Sequence, residues 1–199
     1  MRAEMTYLPL LLADPSPSLR FLVLRELFQR PQDDPELKEL DTQRVADPLI
    51  RELVETQNPD GSWQSMDPSG AIQGEKLYWS AQSMVRFGYL GYGPEHPTVQ
   101  RGAEFIFSQQ LEDGSWPLPP SRGTVDSVDG YSMIPLQTAI PLRSLAACGY
   151  AIDLRAERAY EWLLAQRLDD GAWPVGIAAG NYGGIAGYRR LPHSRWGCR

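Results

Sequence analysis

Cysteine, long apolar runs and basic charge are all scarce in this sequence, and each scarcity excludes something. Two cysteines, Cys148 and Cys198, make no disulfide framework. Their scarcity points to a reducing compartment and a cytoplasmic protein. Near the start, YLPLLLA at 7–13 is interrupted by Pro9 and is too short to span a bilayer. It also lacks the charged, apolar and small-residue order of a signal peptide. Lys and Arg total 19 against 25 for Asp and Glu, a net charge of −6. Clusters as small as Arg189-Arg190 make no basic face, so a nucleic-acid partner is not expected. No stretch carries a competing strand pattern either.

What is abundant is a refrain. QNPDGSW at 57–63, QLEDGSW at 110–116 and QRLDDGAW at 166–173 share a glutamine, an Asp-Gly step and a tryptophan. Trp63, Trp116 and Trp173 stand 53 and then 57 residues apart. Repetition at that period means copies of one supersecondary unit. With 199 residues the chain can bury roughly 70% of its unfolded surface, enough for a core of its own.

The segments between refrains read as helices. After each turn comes a variable loop, then a helix rich in small residues that ends in Gly-Tyr: 78–92 and 135–150. A more charged helix follows each, at 99–110 and 154–166. Small residues such as Ala139, Ser144 and Ala146 suit an inner helix packed on both flanks. Arg101, Glu104, Arg155 and Glu157 suit an outer helix with one wet face. Upstream, Ser16 caps a helix begun by Pro17, with Leu19, Leu22, Val23, Leu27 and Phe28 expected on one face. A second helix runs through Leu49, Leu53 and Val54 to Gln57. Residues 1–44 are therefore read as an N-terminal helical segment, and 45–199 as the repeat region of the same domain.

The refrain has a structural rationale. Its glutamine falls in the last helical turn, where an amide can donate to carbonyls left without partners. Its glycine takes the left-handed conformation that ends a helix without Cβ strain. A fully buried Trp hides about 150–250 Å², worth roughly 4–6 kcal/mol as an upper bound. Gln57, Trp63, Gln110, Trp116, Gln166 and Trp173 are thus expected to clamp the fold.

Residues 101–116 (RGAEFIFSQQLEDGSW) resemble the QW motif of squalene–hopene cyclases and their relatives. Arg101, Gly102, Phe105, Ile106, Gln110, Gly114 and Trp116 fill its slots in order. The copy at 158–173 keeps Arg158, Ala159, Trp162, Leu163, Gly171 and Trp173, with Gln166 one position early. The copy ending at Trp63 keeps the Gln-to-Trp half. The resemblance, over roughly 45–199, implies an all-α fold: the terpenoid-cyclase/protein-prenyltransferase α/α toroid. Inner helices would surround a cavity for an isoprenoid chain, and outer helices would wrap them. No cofactor is implied.

The same resemblance tests the chemistry. Class II cyclases protonate an alkene or epoxide with a carboxylic acid kept neutral in a dry cavity. Relatives place it as Asp-x-Asp-Asp before Thr-Ala at an inner-helix start. Thr138-Ala139 has that setting, but Ile134, Pro135, Leu136 and Gln137 precede it. Lys76, Leu77, Tyr78 and Trp79 precede Ser80-Ala81, also without a carboxylate. Asp126 and Asp129, a few residues upstream of Thr138, are candidates for a displaced acid pair or for ordinary loop aspartates. Prenyltransferases hold zinc through Asp, Cys and His. His193 and Cys198 are five residues apart, but no third ligand is evident, so no metal is assigned. Tyr78, Trp79, Tyr131, Gln137, Tyr182 and Trp196 are candidates for contacting an apolar ligand, as against packing between hairpins.

Three Trp turns imply an incomplete, open ring whose apolar edge would favour self-association, or the N-terminal part of a longer cyclase-like protein. Two functions stay open. One is a squalene cyclase/prenyltransferase-like protein acting on or binding an apolar isoprenoid chain. The other is a non-catalytic α/α repeat scaffold or apolar-ligand module.

Overall fold

The computed structural model describes residues 7–64, 76–116, 135–167 and Gly171. Among them every regular element is a helix. They are α1 (Leu8–Leu12), α2 (Pro17–Leu22, continued by a π-turn over Val23–Leu27), α3 (Pro35–Gln43, followed by a 3-10 turn over Arg44–Ala46), α4 (Pro48–Glu55), α5 (Lys76–Tyr89), α6 (Pro97–Ser108), α7 (Pro135–Ala147) and α8 (Leu154–Ala165). The fold is an all-α, toroid-type assembly of hairpins. The inner helices α5 and α7 pack along each other, while α6 lies on α5 and α8 on α7.

Local chemistry sets the helix starts. Pro17, Pro35, Pro48 and Pro97 each open a helix, where a missing N–H costs nothing. Ser16, Asp34, Asp47 and Asp153 each accept a backbone N–H of the first turn. The Asp47 carboxylate also accepts from Ser16 Oγ at 2.6 Å and Ser18 N at 3.3 Å, tying the start of α2 to the start of α4.

The N-terminal helices differ from the periodicity expectation. Phe21, Val23 and Leu24 are buried, whereas Leu27 is exposed. The π-turn widens the helix by a residue and rotates the later positions off the buried face. On α4, Ile50 and Leu53 are buried and Leu49 and Val54 are exposed. A further helix, α3, fills the segment after Pro35.

The main core joins Ile50 and Leu53 of α4 to Met84 and Phe87 of α5, Ile106 of α6, and Leu142 and Leu145 of α7. Trp63 and Trp116 complete it. The two inner helices run side by side in the same direction. A Cβ on Gly88 would come within 2.6 Å of the Ala147 carbonyl carbon, so glycine permits the close approach. The Cys148 thiol donates to Met84 O at 3.0 Å across the same seam. Burial pushes that thiol up to about 12, so it stays protonated.

A buried arginine fastens the N-terminal helices to the repeats. Arg44 lies between the rings of Phe21 and Tyr92, 4.1 Å from each centroid. It donates to Leu90 O at 2.9 Å and pairs with Asp41 at 2.7 Å. Tyr92 Oη returns a hydrogen bond to Arg44 O at 3.2 Å.

Candidate functional site

The refrain forms two superimposable clamps. In the first, Gln57 Nε2 donates to Gly61 O at 3.0 Å and to Thr98 O, in the first turn of α6, at 2.9 Å. In the second, Gln110 Nε2 donates to Gly114 O and to Arg155 O, in the first turn of α8, both at 2.8 Å. The expected partner was a carbonyl of the glutamine's own helix end. The observed partner belongs to the next outer helix, because the turn carries the amide past its own helix end. Each glutamine therefore ties one hairpin to the next.

The tryptophans act along the other direction. Trp63 Nε1 donates to Leu53 O and Trp116 Nε1 to Ile106 O, each at 2.8 Å, covering the end of the preceding outer helix. Their backbone N–H groups reach inner-helix hydroxyls: Trp63 N to Ser80 Oγ at 2.9 Å and Trp116 N to Thr138 Oγ1 at 3.2 Å. Asp60 and Asp113 close the turns by accepting from Ser62 and Ser115. Hydrogen bonds from Ser62 and then Lys76 hold the Asp60 carboxyl down to about 2.

The third copy corrects the assignment of Gln166. In the first two clamps the glutamine stands four residues before its glycine. Four before Gly171 stands Arg167, and its Nε donates to Gly171 O at 2.9 Å. Arg167 fills the slot, and Gln166 serves as the C-cap of α8. Counting back from each glycine would have shown this in the sequence.

Two of the six ligand candidates are described with their side chains. Tyr78 and Trp79, in the first turn of α5, meet edge to face with centroids 5.4 Å apart. Tyr78 is exposed, and Trp79 Nε1 is buried without a hydrogen-bond partner among the described residues. Gln137 lies in α7, but its side chain is outside the described residues, as are Asp126, Asp129, Tyr131, Trp173, Tyr182, His193, Trp196 and Cys198.

The face of α5 turned away from the core is a stripe: Tyr78, Gln82, Val85 and Tyr89, at i, i+4, i+7 and i+11. Periodicity had not singled out Gln82, Val85 or Tyr89. The matching face of α7 carries Ile140, Arg143 and Ala147. At the C-terminal ends of the two helices, Arg143 Nη2 donates to Tyr89 Oη, and its guanidinium sits 5.5 Å from that ring's centroid.

A family model for the squalene-hopene cyclase C-terminal domain matches residues 35–184. The chain belongs to this family. Squalene–hopene cyclase of Bradyrhizobium diazoefficiens is 28% identical over 124 residues, which is 61% of this chain. That match spans 18% of the relative's length. Thr138, which the resemblance sets beside the expected acid position, has its hydroxyl engaged by Trp116 N. Among the described residues no helix is long and apolar enough to cross a membrane.

Proposed function

We propose that this chain forms part of the wall of a cyclase-like toroid and binds an apolar isoprenoid chain along the inner faces of α5 and α7. It does so without drawing a proton from the usual Asp-x-Asp-Asp position. The observation that carries this reading is the α5 stripe. Tyr78 and Tyr89 are 38% and 58% exposed on a helix whose opposite face is fully packed. Large rings on an inner wall, with Trp79 beside them, offer flat apolar surface and the negative faces that suit an unsaturated chain.

Titration with a squalene-like polyene and a polyprenyl alcohol, followed by calorimetry and tryptophan fluorescence, tests the reading. Saturable binding is expected, weakened about 10–100-fold by Tyr78→Ala if the ring buries 1.5–3 kcal/mol of contact. No heat and no thermal protection at high micromolar protein would refute it.

A second reading, a helical-repeat scaffold without catalysis, is favoured by one observation. Ile134, Pro135, Leu136 and Gln137 put no carboxylate before Thr138. Turnover of an isoprenoid that Asp129→Asn abolishes, with binding retained, would overturn that reading and make the displaced loop acid catalytic.

A further inference from the structure

Among the described residues the buried apolar side chains form two separate clusters. One is the main core. The other joins Phe21 and Leu24, of α2 and its π-turn, to Leu37 and Leu40 of α3. A stack of rings around one cation links the two. Phe21, Arg44, Tyr92, His96 and Phe87 follow one another, with the Arg44 guanidinium 4.1 Å from the centroids of Phe21 and Tyr92. The His96 ring lies 5.1 Å from Tyr92 and 5.5 Å from Phe87. Ser16 and Ser18 add hydrogen bonds to Asp47 at the start of α4. A joint with few buried apolar contacts can open ahead of the elements on either side of it.

His96 stands at the N-cap of α6, where the next hairpin has Asp153 at the N-cap of α8. Asp153 accepts from Arg155 N and caps its helix, whereas the His96 side chain makes no cap hydrogen bond. The Nδ1 atom of His96 is buried, with no hydrogen-bond partner among the described residues. A neutral imidazole leaves one ring nitrogen as an acceptor; protonation turns it into a donor that here finds no acceptor. Glu95 favours the charged ring, while Arg101 of α6 and Arg44 oppose it. The facing groups of α5 and of the Gly-Tyr turn are the rings of Phe87 and Tyr92. Ring faces attract a cation, but burial is the strongest influence and holds His96 below its ordinary 6.5. The second tie does not titrate in that range. Burial raises the Asp47 carboxyl, but hydrogen bonds from Ser16, Ser18 and Leu49 together hold it below 3.8.

We propose that His96 is a pH-sensitive latch, whose protonation in mild acid opens the ring stack and frees α1–α3 from hairpins that stay folded. The closed joint excludes a proton that the open joint takes up. Closure is therefore favoured above pH 6.5 and weakens as pH falls through that value. The latch is independent of any isoprenoid on the inner wall.

Hydrogen exchange of the full chain, read by mass spectrometry from about pH 7.5 to 5.5 and corrected for intrinsic rates, tests the latch. Peptides of α2 and α3 are expected to be less protected than those of α5 and α7 at every pH, which marks a separate opening. Their protection should fall several-fold across the range, with a ceiling of about tenfold for one proton whose open-state pKa is 6.5. His96→Phe, which keeps a ring in the stack, should remove that dependence on pH. Glu95→Gln, an exposed change, should deepen the loss, because the acid that favours the charged ring is gone. Protection of α2 and α3 equal to that of α5 and α7 would overturn the inference. So would protection that does not change with pH, or a pH dependence that survives His96→Phe. Should His96→Phe fail to fold, Glu95→Gln decides, and a loss that it leaves unaltered would overturn the latch.

Discussion

Alanine in place of Gly61 should damage the first clamp more than any surface change nearby. Gly61 has φ +86, and an added Cβ would lie 2.3 Å from the Arg101 carbonyl oxygen and 2.7 Å from its carbon. Neither neighbour is the end of a flexible chain; both are helix backbone in α6. Left-handed backbone costs a non-glycine residue about 1–2 kcal/mol, and forced displacement in a packed seam adds about 1–3. Alanine gives back about 0.4–1 kcal/mol by restricting the unfolded chain. The net loss is about 2–4 kcal/mol, a large share of the 5–15 that a domain holds. Urea unfolding should show a lower midpoint at unchanged slope. Gly93→Ala is the control. Its Cβ would meet only the carboxylate tip of Glu95, and its backbone is not left-handed, so a change within about 0.5 kcal/mol is expected. Equal stability of the two variants would refute the idea that the refrain's glycine is fixed by backbone contact across hairpins.

Three further outcomes follow from the same contacts. Arg101 donates to Gln57 Oε1 at 3.0 and 2.6 Å, whereas Gln110 Oε1 is buried without a partner among the described residues. A double-mutant cycle on Gln57→Ala and Arg101→Ala should therefore give a coupling of about 0.5–1 kcal/mol, and the Gln110/Arg158 cycle one near zero. His96, packed against Phe87 and Tyr92, has its pKa lowered from 6.5, chiefly by burial. Glu95 opposes that shift, while Arg101 and Arg44 reinforce it. Folding then excludes a proton, so its contribution is full above pH 6.5 and falls as pH drops through that value. Unfolding midpoints from pH 8 to 5 should show a decline that His96→Phe removes. Asp60, with its pKa near 2, contributes above about pH 4 and loses that contribution as pH falls toward 2. Finally, in a Cys198→Ser background Cys148 should resist a thiol reagent at pH 8 and react only on unfolding. Prompt labelling of the native protein would show that the α5–α7 seam opens.

Much of the helical architecture is legible in the sequence because its signals are local. Prolines at first turns, aspartate caps and the Gly-x-Trp steps each lie within a few residues of the structure they set. What was not legible depends on distant partners. Arg44 stacks between Phe21 and Tyr92, residues with no shared period, so no window of sequence reveals it. The π-turn after Leu22 shifts the buried face without a proline or glycine to mark it. The glutamine amides choose carbonyls some 40 residues away rather than those of their own helix. In the third copy, a search for glutamine hid the arginine that fills the slot.

The two inner helices also explain why fold and ligand are unequally legible. Ser80 accepts from Trp63 N and Thr138 from the equivalent Trp116 N, so they set the register between the copies. In that register the core positions stay alike: Ala81 matches Ala139, Met84 matches Leu142, Phe87 matches Leu145, and Gly91-Tyr92 matches Gly149-Tyr150. Ala81 and both members of the next two pairs are buried, where a change of even one methylene is felt. The inner-face positions do not stay alike. Gln82 stands against Ile140, Val85 against Arg143 and Tyr89 against Ala147. Ile140 still packs against the core and Ala147 meets Gly88, whereas Arg143 and Tyr89 are exposed, so charge and size at those two positions are free to follow a ligand. An inner face shaped by packing alone would have no use for one arginine facing one tyrosine. Exchanging the pair through Val85→Arg with Arg143→Val should therefore leave thermal stability nearly unchanged while weakening binding of an isoprenoid alcohol along the inner face, and a loss of stability instead would make Arg143 a packing residue.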